Sequence, residues 1–257
     1  MLNRTDRRQG LTLLELVVVL VILVALAGIL VPLLPSMVSR AHTATHATNI
    51  VEIDKAVEAF NMLNHGYSDN LDSLLTGANV YANLPSNGSG TCGGELTAGT
   101  ITADDLAALN SSGLTTIWTL DPTSDGTQDL LNAPYGTSTS GTALAAGNGA
   151  VLNQTAAQRL YNEPATGSSA KYVVFGFGSK ASIVGHGIPE SPVHFADDPG
   201  TAGNPTLTYA RFGLVFRVEN TAGKTLETAQ FVGAVAFHPD HVSGGDAGIA
   251  EYNALNH

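Results

Sequence analysis

The stretch that decides this fold is Arg7-Arg8-Gln9-Gly10-Leu11-Thr12-Leu13-Leu14-Glu15, together with the apolar run behind it. Arg4, Arg7 and Arg8 precede Gly10, and Leu11 to Leu34 is apolar except for Thr12, Glu15, Gly28 and Pro32. A bilayer core of about 30 Å needs roughly 20 apolar residues at 1.5 Å per residue. This run reaches about 36 Å as a helix, enough to span with some tilt. A carboxylate in such a helix is costly, so Glu15, one turn in, is a functional candidate. Snorkelling to the headgroups is the plain alternative.

A secretory signal peptide competes with this reading. Its apolar core is usually about 7–15 residues and ends at a small-residue cleavage site. Here the run is longer, and Pro32-Leu33-Leu34-Pro35 occupies the exit. A plain anchor stays open. The arginines place the N-terminus in the cytoplasm, which exports the C-terminal bulk.

Gly10-Leu11-Thr12-Leu13-Leu14-Glu15 resembles the prepilin signal of type IV pilins and type II secretion pseudopilins, with basic residues, Gly, Glu and Pro32 in register. Leu11 stands where that family usually has Phe. The resemblance implies that prepilin peptidase cuts between Gly10 and Leu11 and that the new amino terminus of Leu11 is methylated. It implies further that this amine pairs with the Glu15 equivalent of a neighbouring subunit. Opposite charges attract strongly in low dielectric, and breaking such a pair strands a buried charge, so Glu15 would set register.

Proline lacks the amide that bonds the carbonyl four residues back, and its ring crowds that carbonyl. For Pro32 the carbonyl belongs to Gly28, itself a weak helix former. A kink at Gly28 and Pro32 is therefore expected, with Pro35 adding to it. It is either an ordinary membrane-helix kink or a segment that unwinds on packing.

Beyond Pro35, Ile50, Ile53, Val57, Phe60 and Leu63 recur at helical spacing, with Glu52, Lys55 and Glu58 off that face. This amphipathic helix should pack on a globular domain and end at His65-Gly66-Tyr67, with Gly66 as the left-handed cap. The stretch from Asn64 to Leu75 also resembles pseudopilins, where a short leucine-bearing helix follows; Ser68 replaces their usual proline.

The remaining residues suffice for one domain. Pro85–Thr100 reads as a loop, Thr102 as the N-cap of a short helix bearing Leu106 and Leu109, and Thr115–Leu120 as a strand with Trp118. Residues 121–150, rich in Gly, Ser, Thr and Asp, read as an exposed insertion, and Thr155–Tyr161 as a short helix. Strands are expected over Lys171–Gly178, Leu207–Val218 and Thr228–His238, the last two antiparallel neighbours across the turn Glu219–Thr225. In the second, Phe212, Leu214, Phe216 and Val218 share one face, opposite Tyr209, Arg211 and Arg217.

The expected fold is thus α+β and pilin-like: a long N-terminal helix, membrane-embedded in its first half, packed on a C-terminal antiparallel sheet. Its parts are a cleaved leader (1–10), a transmembrane and polymerisation helix (11–35), an amphipathic helix (36–66) and an exported globular domain (67–257).

Loss of Arg4, Arg7, Arg8 and Asp6 with the leader would move the formal charge from −11 to −13. So acidic a surface disfavours direct nucleic-acid binding. The lone Cys92 excludes an intrachain disulfide and has no flanking base that would make it a nucleophile. Asp121, Asp125 and Asp129 are weak calcium candidates without EF-hand spacing. His238 and His241, with His186 or His194, lack zinc spacing. No hydrolase or phosphate-loop motif occurs, so neither an enzyme nor a cofactor or metal is expected.

The sequence therefore reads as a filament subunit, matured at the inner membrane and ending in an extracellular or periplasmic filament. Its expected partners are copies of itself or other pilins, prepilin peptidase and the pilus or secretion assembly machinery. The alternative is an inner-membrane-anchored monomeric binding or adhesin domain; an anchored hydrolase is a further rival.

Overall fold

The computed structural model describes residues 13–31, 34–81, 84, 94–119, 141–164, 170–193, 209, 211–238 and 248–250. The chain divides into two compact units, Met1–Ala41 and His42–His257. The first holds the apolar helix α1 (Leu13–Leu30), and Val31 continues it as a tighter 3₁₀ turn. Helix α2 (Leu34–Asn64) begins in the first unit and runs into the second. Pro35 is its second residue. In the first turn of a helix the amide that proline lacks has no partner in any case.

In the second unit, Ile50, Ile53 and Val57 of α2 are buried, and Phe60 packs against them. Leu63 does not follow the stripe: it is 81 % exposed. The helix ends with His65, at φ 54°, in the left-handed conformation expected of Gly66. Gly66 itself packs at ordinary contact distance against the turn at Ser112 and Gly113. A Cβ there would lie 3.4 Å from the Ser112 carbonyl oxygen, which accepts the Tyr67 amide at 2.7 Å.

Among the described residues the main sheet has nine strands and draws on more of the chain than the last third. Its strands are β1 (Leu71–Asp72), β4 (Leu96–Ile101), β5 (Thr116–Trp118), β6 (Thr142–Ala143), β7 (Gly147–Leu152), β8 (Lys171–Gly176), β9 (Gly213–Glu219), β10 (Thr225–His238) and β11 (Gly248–Ala250). The order is β11-β10-β9-β8-β1-β5-β6, with β7 also on β8 and β4 on β7. Pairing is antiparallel except for β1 with β5. Strands β2 (Leu75–Thr76) and β3 (Asn79–Val80) form a separate hairpin.

Several sequence expectations are corrected here. The helix expected near Leu71–Leu75 is strand, because Asp69 and Asn70 bind the start of β5: Asp69 Oδ1 accepts the Thr115 and Thr116 amides at 2.9 and 2.7 Å. Ser68, in place of proline, accepts the Ile183 amide at 3.2 Å. The end of the supposed 85–100 loop is β4, and the end of the supposed 121–150 insertion supplies β6 and β7. Residues 121–140 of the insertion lie outside the described residues.

Helices α3 (Ala103–Ser111) and α4 (Gln154–Tyr161) complete the unit. Thr102 caps α3 in a capping box with Asp105. Both sheet faces are covered. Phe212, Leu214, Phe216 and Val218 pack with α2 and Leu109 of α3 on one face. Tyr172, Val174, Val215 and Phe237 pack with Ala156 and Ala157 of α4 on the other. Tyr209 and Arg211, just ahead of β9, are both buried. Tyr209 donates to Asp72 Oδ2 at 2.5 Å, and Arg211 donates to the Ser191 carbonyl at 3.0 Å. The architecture is α+β with a mostly antiparallel sheet, consistent with a pilin-like fold.

Candidate functional site: the N-terminal apolar helix

Leucine and valine fill α1 on every side, so it carries no polar face. A helix apolar all round is stable only where its whole circumference meets apolar matter. Among the described residues, every one from Leu13 to Val31 is exposed, Leu13 at 83 % and Ile29 at 65 %. Monomeric soluble proteins rarely expose apolar patches above a few hundred Å². Leu13–Leu30 has a mean hydropathy of 3.1 and is long and apolar enough to cross a membrane. Its 18 residues rise about 27 Å, close to a hydrocarbon core.

Glu15 is the acidic residue of the first turn. A carboxylate suits a helix N-terminus, where the dipole is positive, and here it is exposed. Gly28 sits near the other end with nothing within 4 Å of an added Cβ. Three residues later the helix tightens to a 3₁₀ turn at Val31. Gly10, Leu11 and Pro32 lie outside the described residues.

The globular unit holds ion pairs but no cluster of metal-binding character among the described residues. Asp121, Asp125, Asp129, Cys92, His194 and His241 lie outside those residues, and His186 is exposed. Arg159 binds Glu95 through two nitrogens at 3.0 and 2.6 Å. Glu163 accepts from the Tyr172 hydroxyl at 2.7 Å and the Ala170 amide at 3.2 Å. With its hydrogen-bonded partner Glu163 beside it, and burial the larger cause, the Tyr172 hydroxyl is pushed far above the usual phenol range. These groups join neighbouring elements.

A groove of about 500 Å³ runs between α2 and the 187–192 loop, lined by Ile53, Ala56, Ile188 and Pro189 with Glu52 and Glu190. It shows no convergent set of polar groups of the kind that fixes a small ligand. Sequence reading missed one feature, the half-buried Asp54 of α2. Its position beside Ile53 marks it as adjoining the core, but its partner on β10 is 180 residues away.

No curated protein and no solved structure matches the chain. Residues 5–31 match the prokaryotic N-terminal methylation motif, so the segment that ends in this fully exposed apolar helix is the prepilin signal of type IV pilins and pseudopilins.

Proposed function

We propose that the protein is a structural subunit of a type IV pilus-like or type II secretion pseudopilus filament, held together by its N-terminal apolar helices. The observation that carries this reading is the coincidence of the methylation motif at residues 5–31 with a helix whose every side chain is exposed. An anchor alone needs the helix; the motif adds a processing signal ahead of it. Before assembly α1 sits in the inner membrane with Arg4, Arg7 and Arg8 cytoplasmic and the C-terminal unit exported. Prepilin peptidase cuts between Gly10 and Leu11, and Leu11 is methylated. Its charged amine then pairs with Glu15 of a neighbour, in the dry bundle where breaking such a pair is most costly. The role is mechanical, not catalytic.

Intact-mass analysis of membrane-extracted protein tests the processing. The expected mass begins at Leu11 with one added methyl group, and a bulky residue at Gly10 blocks the cut. Retention of Met1, or a cut beyond Pro35, overturns it. Electron microscopy of the sheared surface fraction and of periplasmic extracts tests assembly. Helical polymers containing this chain are expected; a processed but strictly monomeric protein favours the anchored binding domain.

A further inference from the structure

Asp54 follows the fully buried Ile53 on α2, and its side chain is half-buried against β10. Its Oδ1 accepts the Ala234 amide at 2.7 Å. That amide lies just past an irregularity between Phe231 and Gly233, where the register of β10 shifts against β9. Gly233 there has φ 156°, and β10 meets α2 through this carboxylate. A carboxylate partly removed from water and held by one amide donor is poorly compensated as an anion. Glu58, one turn further along α2, adds a like charge.

The other neighbours do not offset this. Phe231, Val232, Gly233 and Ala234 of β10 carry no charge. Tyr67, beyond the end of α2, is neutral, with its hydroxyl beside the Phe231 amide. Glu52 and Lys55 of α2 and Glu190 of the facing loop line the groove that also takes in Ile53 and Ala56.

We propose that the Asp54–Ala234 contact is an acid-tightened clasp: proton uptake by Asp54 strengthens the seat of α2 on β10, and proton loss loosens it. The neutral acid still offers a carbonyl oxygen to the Ala234 amide, but sheds both the desolvation cost and the repulsion from Glu58. Burial is the largest influence; the Ala234 bond opposes it and Glu58 reinforces it, leaving Asp54 pushed up from 3.8 to about 6. A carboxyl raised in the docked state binds protons more tightly there. Its stabilisation is complete below about 4, declines as pH rises through the interval to about 6, and is gone above it. The helix concerned is the one whose N-terminal part lies in the first unit. The clasp itself does not depend on the filament reading, because its test reads docking and not assembly.

Hydrogen exchange of the full-length protein in detergent, followed over the β10 segment Thr228–His238 and corrected for intrinsic rates, tests it. Opening should be roughly sevenfold more frequent at pH 7.5 than at pH 5.2, the ratio that a shift from 3.8 to about 6 gives. Asp54→Asn should bring that ratio to below twofold, and Glu58→Gln should reduce it part of the way. A wild-type ratio near one, or an Asp54→Asn ratio equal to wild type, overturns the proposal. Carbon-13 titration of aspartate-labelled wild-type protein is independent of any variant. A carboxyl midpoint near 6 that Asp54→Asn or Glu58→Gln perturbs supports the clasp; aspartates all titrating near 4 overturn it.

Discussion

Lys171 places its ammonium 2.6 Å from Oδ2 of Asp105, a residue with no exposed side-chain surface, and 3.0 Å from Oε1 of Glu219. Three elements meet in this ion pair: α3 through Asp105, β8 through Lys171 and β9 through Glu219. Asp105 also closes the N-terminus of α3, accepting the Thr102 amide at 2.9 Å. Burial alone would raise Asp105, but the Lys171 and Thr102 hydrogen bonds outweigh it and hold the carboxyl below the usual range. For Lys171, burial is likewise outweighed by its two carboxylate partners, which raise it.

Lys171→Met is therefore expected to destabilise the protein by roughly 2–4 kcal/mol at neutral pH. Removing one partner strands a buried carboxylate, and the partial exposure of Lys171 lowers the figure from the fully buried case. Asp105→Asn keeps an acceptor for Thr102 and leaves Lys171 with Glu219, so it should cost less. The pH dependence follows from the directions. The Asp105 contribution is whole above its free value of 3.8 and disappears as pH falls through the lowered folded value. The Lys171 contribution is whole below 10.5 and disappears as pH rises through the raised folded value. Urea unfolding should give a wild-type-minus-Lys171→Met difference that is flat between about pH 5 and pH 9. A difference that varied across that interval would show that the pair does not carry the effect.

The Tyr209 hydroxyl and Asp72 form a second buried tie, in the other half of the core. Both side chains are fully buried, and Gly176 leaves room for the ring. Tyr209→Phe removes the donor and keeps the ring, so the carboxylate loses a bond it cannot replace with water. A loss of about 2 kcal/mol is expected. A double-mutant cycle with Asp72→Asn should return a coupling energy of at least about 1 kcal/mol. Additive effects would mean that Tyr209 contributes through packing alone.

Local patterns made the helices legible, and distant partners hid much of the sheet. Ile50, Ile53 and Val57 announce the buried face of α2 by spacing alone, and Thr102 announces the start of α3. Strand β7 opens with Gly147-Asn148-Gly149 and reads as a loop. The reason lies across the sheet. Gly99 and Gly149 stand opposite each other in the β4–β7 register. A Cβ on Gly99 would run into the Val151 side chain, and one on Gly149 into Ile101. These glycines make room for branched neighbours on the paired strand, information that no single segment contains. Asp69 likewise turns an expected helix into strand β1 through Thr115 and Thr116, some 46 residues on. The prepilin signal was legible because a peptidase reads it as linear sequence.

Glu15→Ala should separate insertion from assembly. Removing a charge from α1 leaves membrane insertion intact or eases it. If the carboxylate receives the Leu11 amine of a neighbour, filament yield should fall at least tenfold, while processed subunit accumulates in the membrane fraction. Quantitative immunoblots of the membrane and filament fractions read both quantities. Wild-type filament yield from the variant would make Glu15 incidental.

Gly28 tests whether the end of α1 has a role beyond local geometry. Helix α1 runs through Gly28 to Leu30 and tightens at Val31, and α2 is described from Leu34. A proline in a helix interior costs roughly 3 kcal/mol, and glycine about 1 kcal/mol relative to alanine. The Gly28 carbonyl is the one that Pro32 leaves without its usual amide. Gly28→Ala meets no neighbouring atom within 4 Å, so it should stiffen this turn without a clash. If subunits unwind here to fit their rise in the filament, that stiffening opposes assembly, and filament yield should fall while processing and membrane content hold. A density map of the wild-type filament should then show lost helical hydrogen bonds between about Gly28 and Pro32. A continuous straight helix through Pro35 in that map, together with unchanged yield from Gly28→Ala, would reduce the interruption to the local effect of proline.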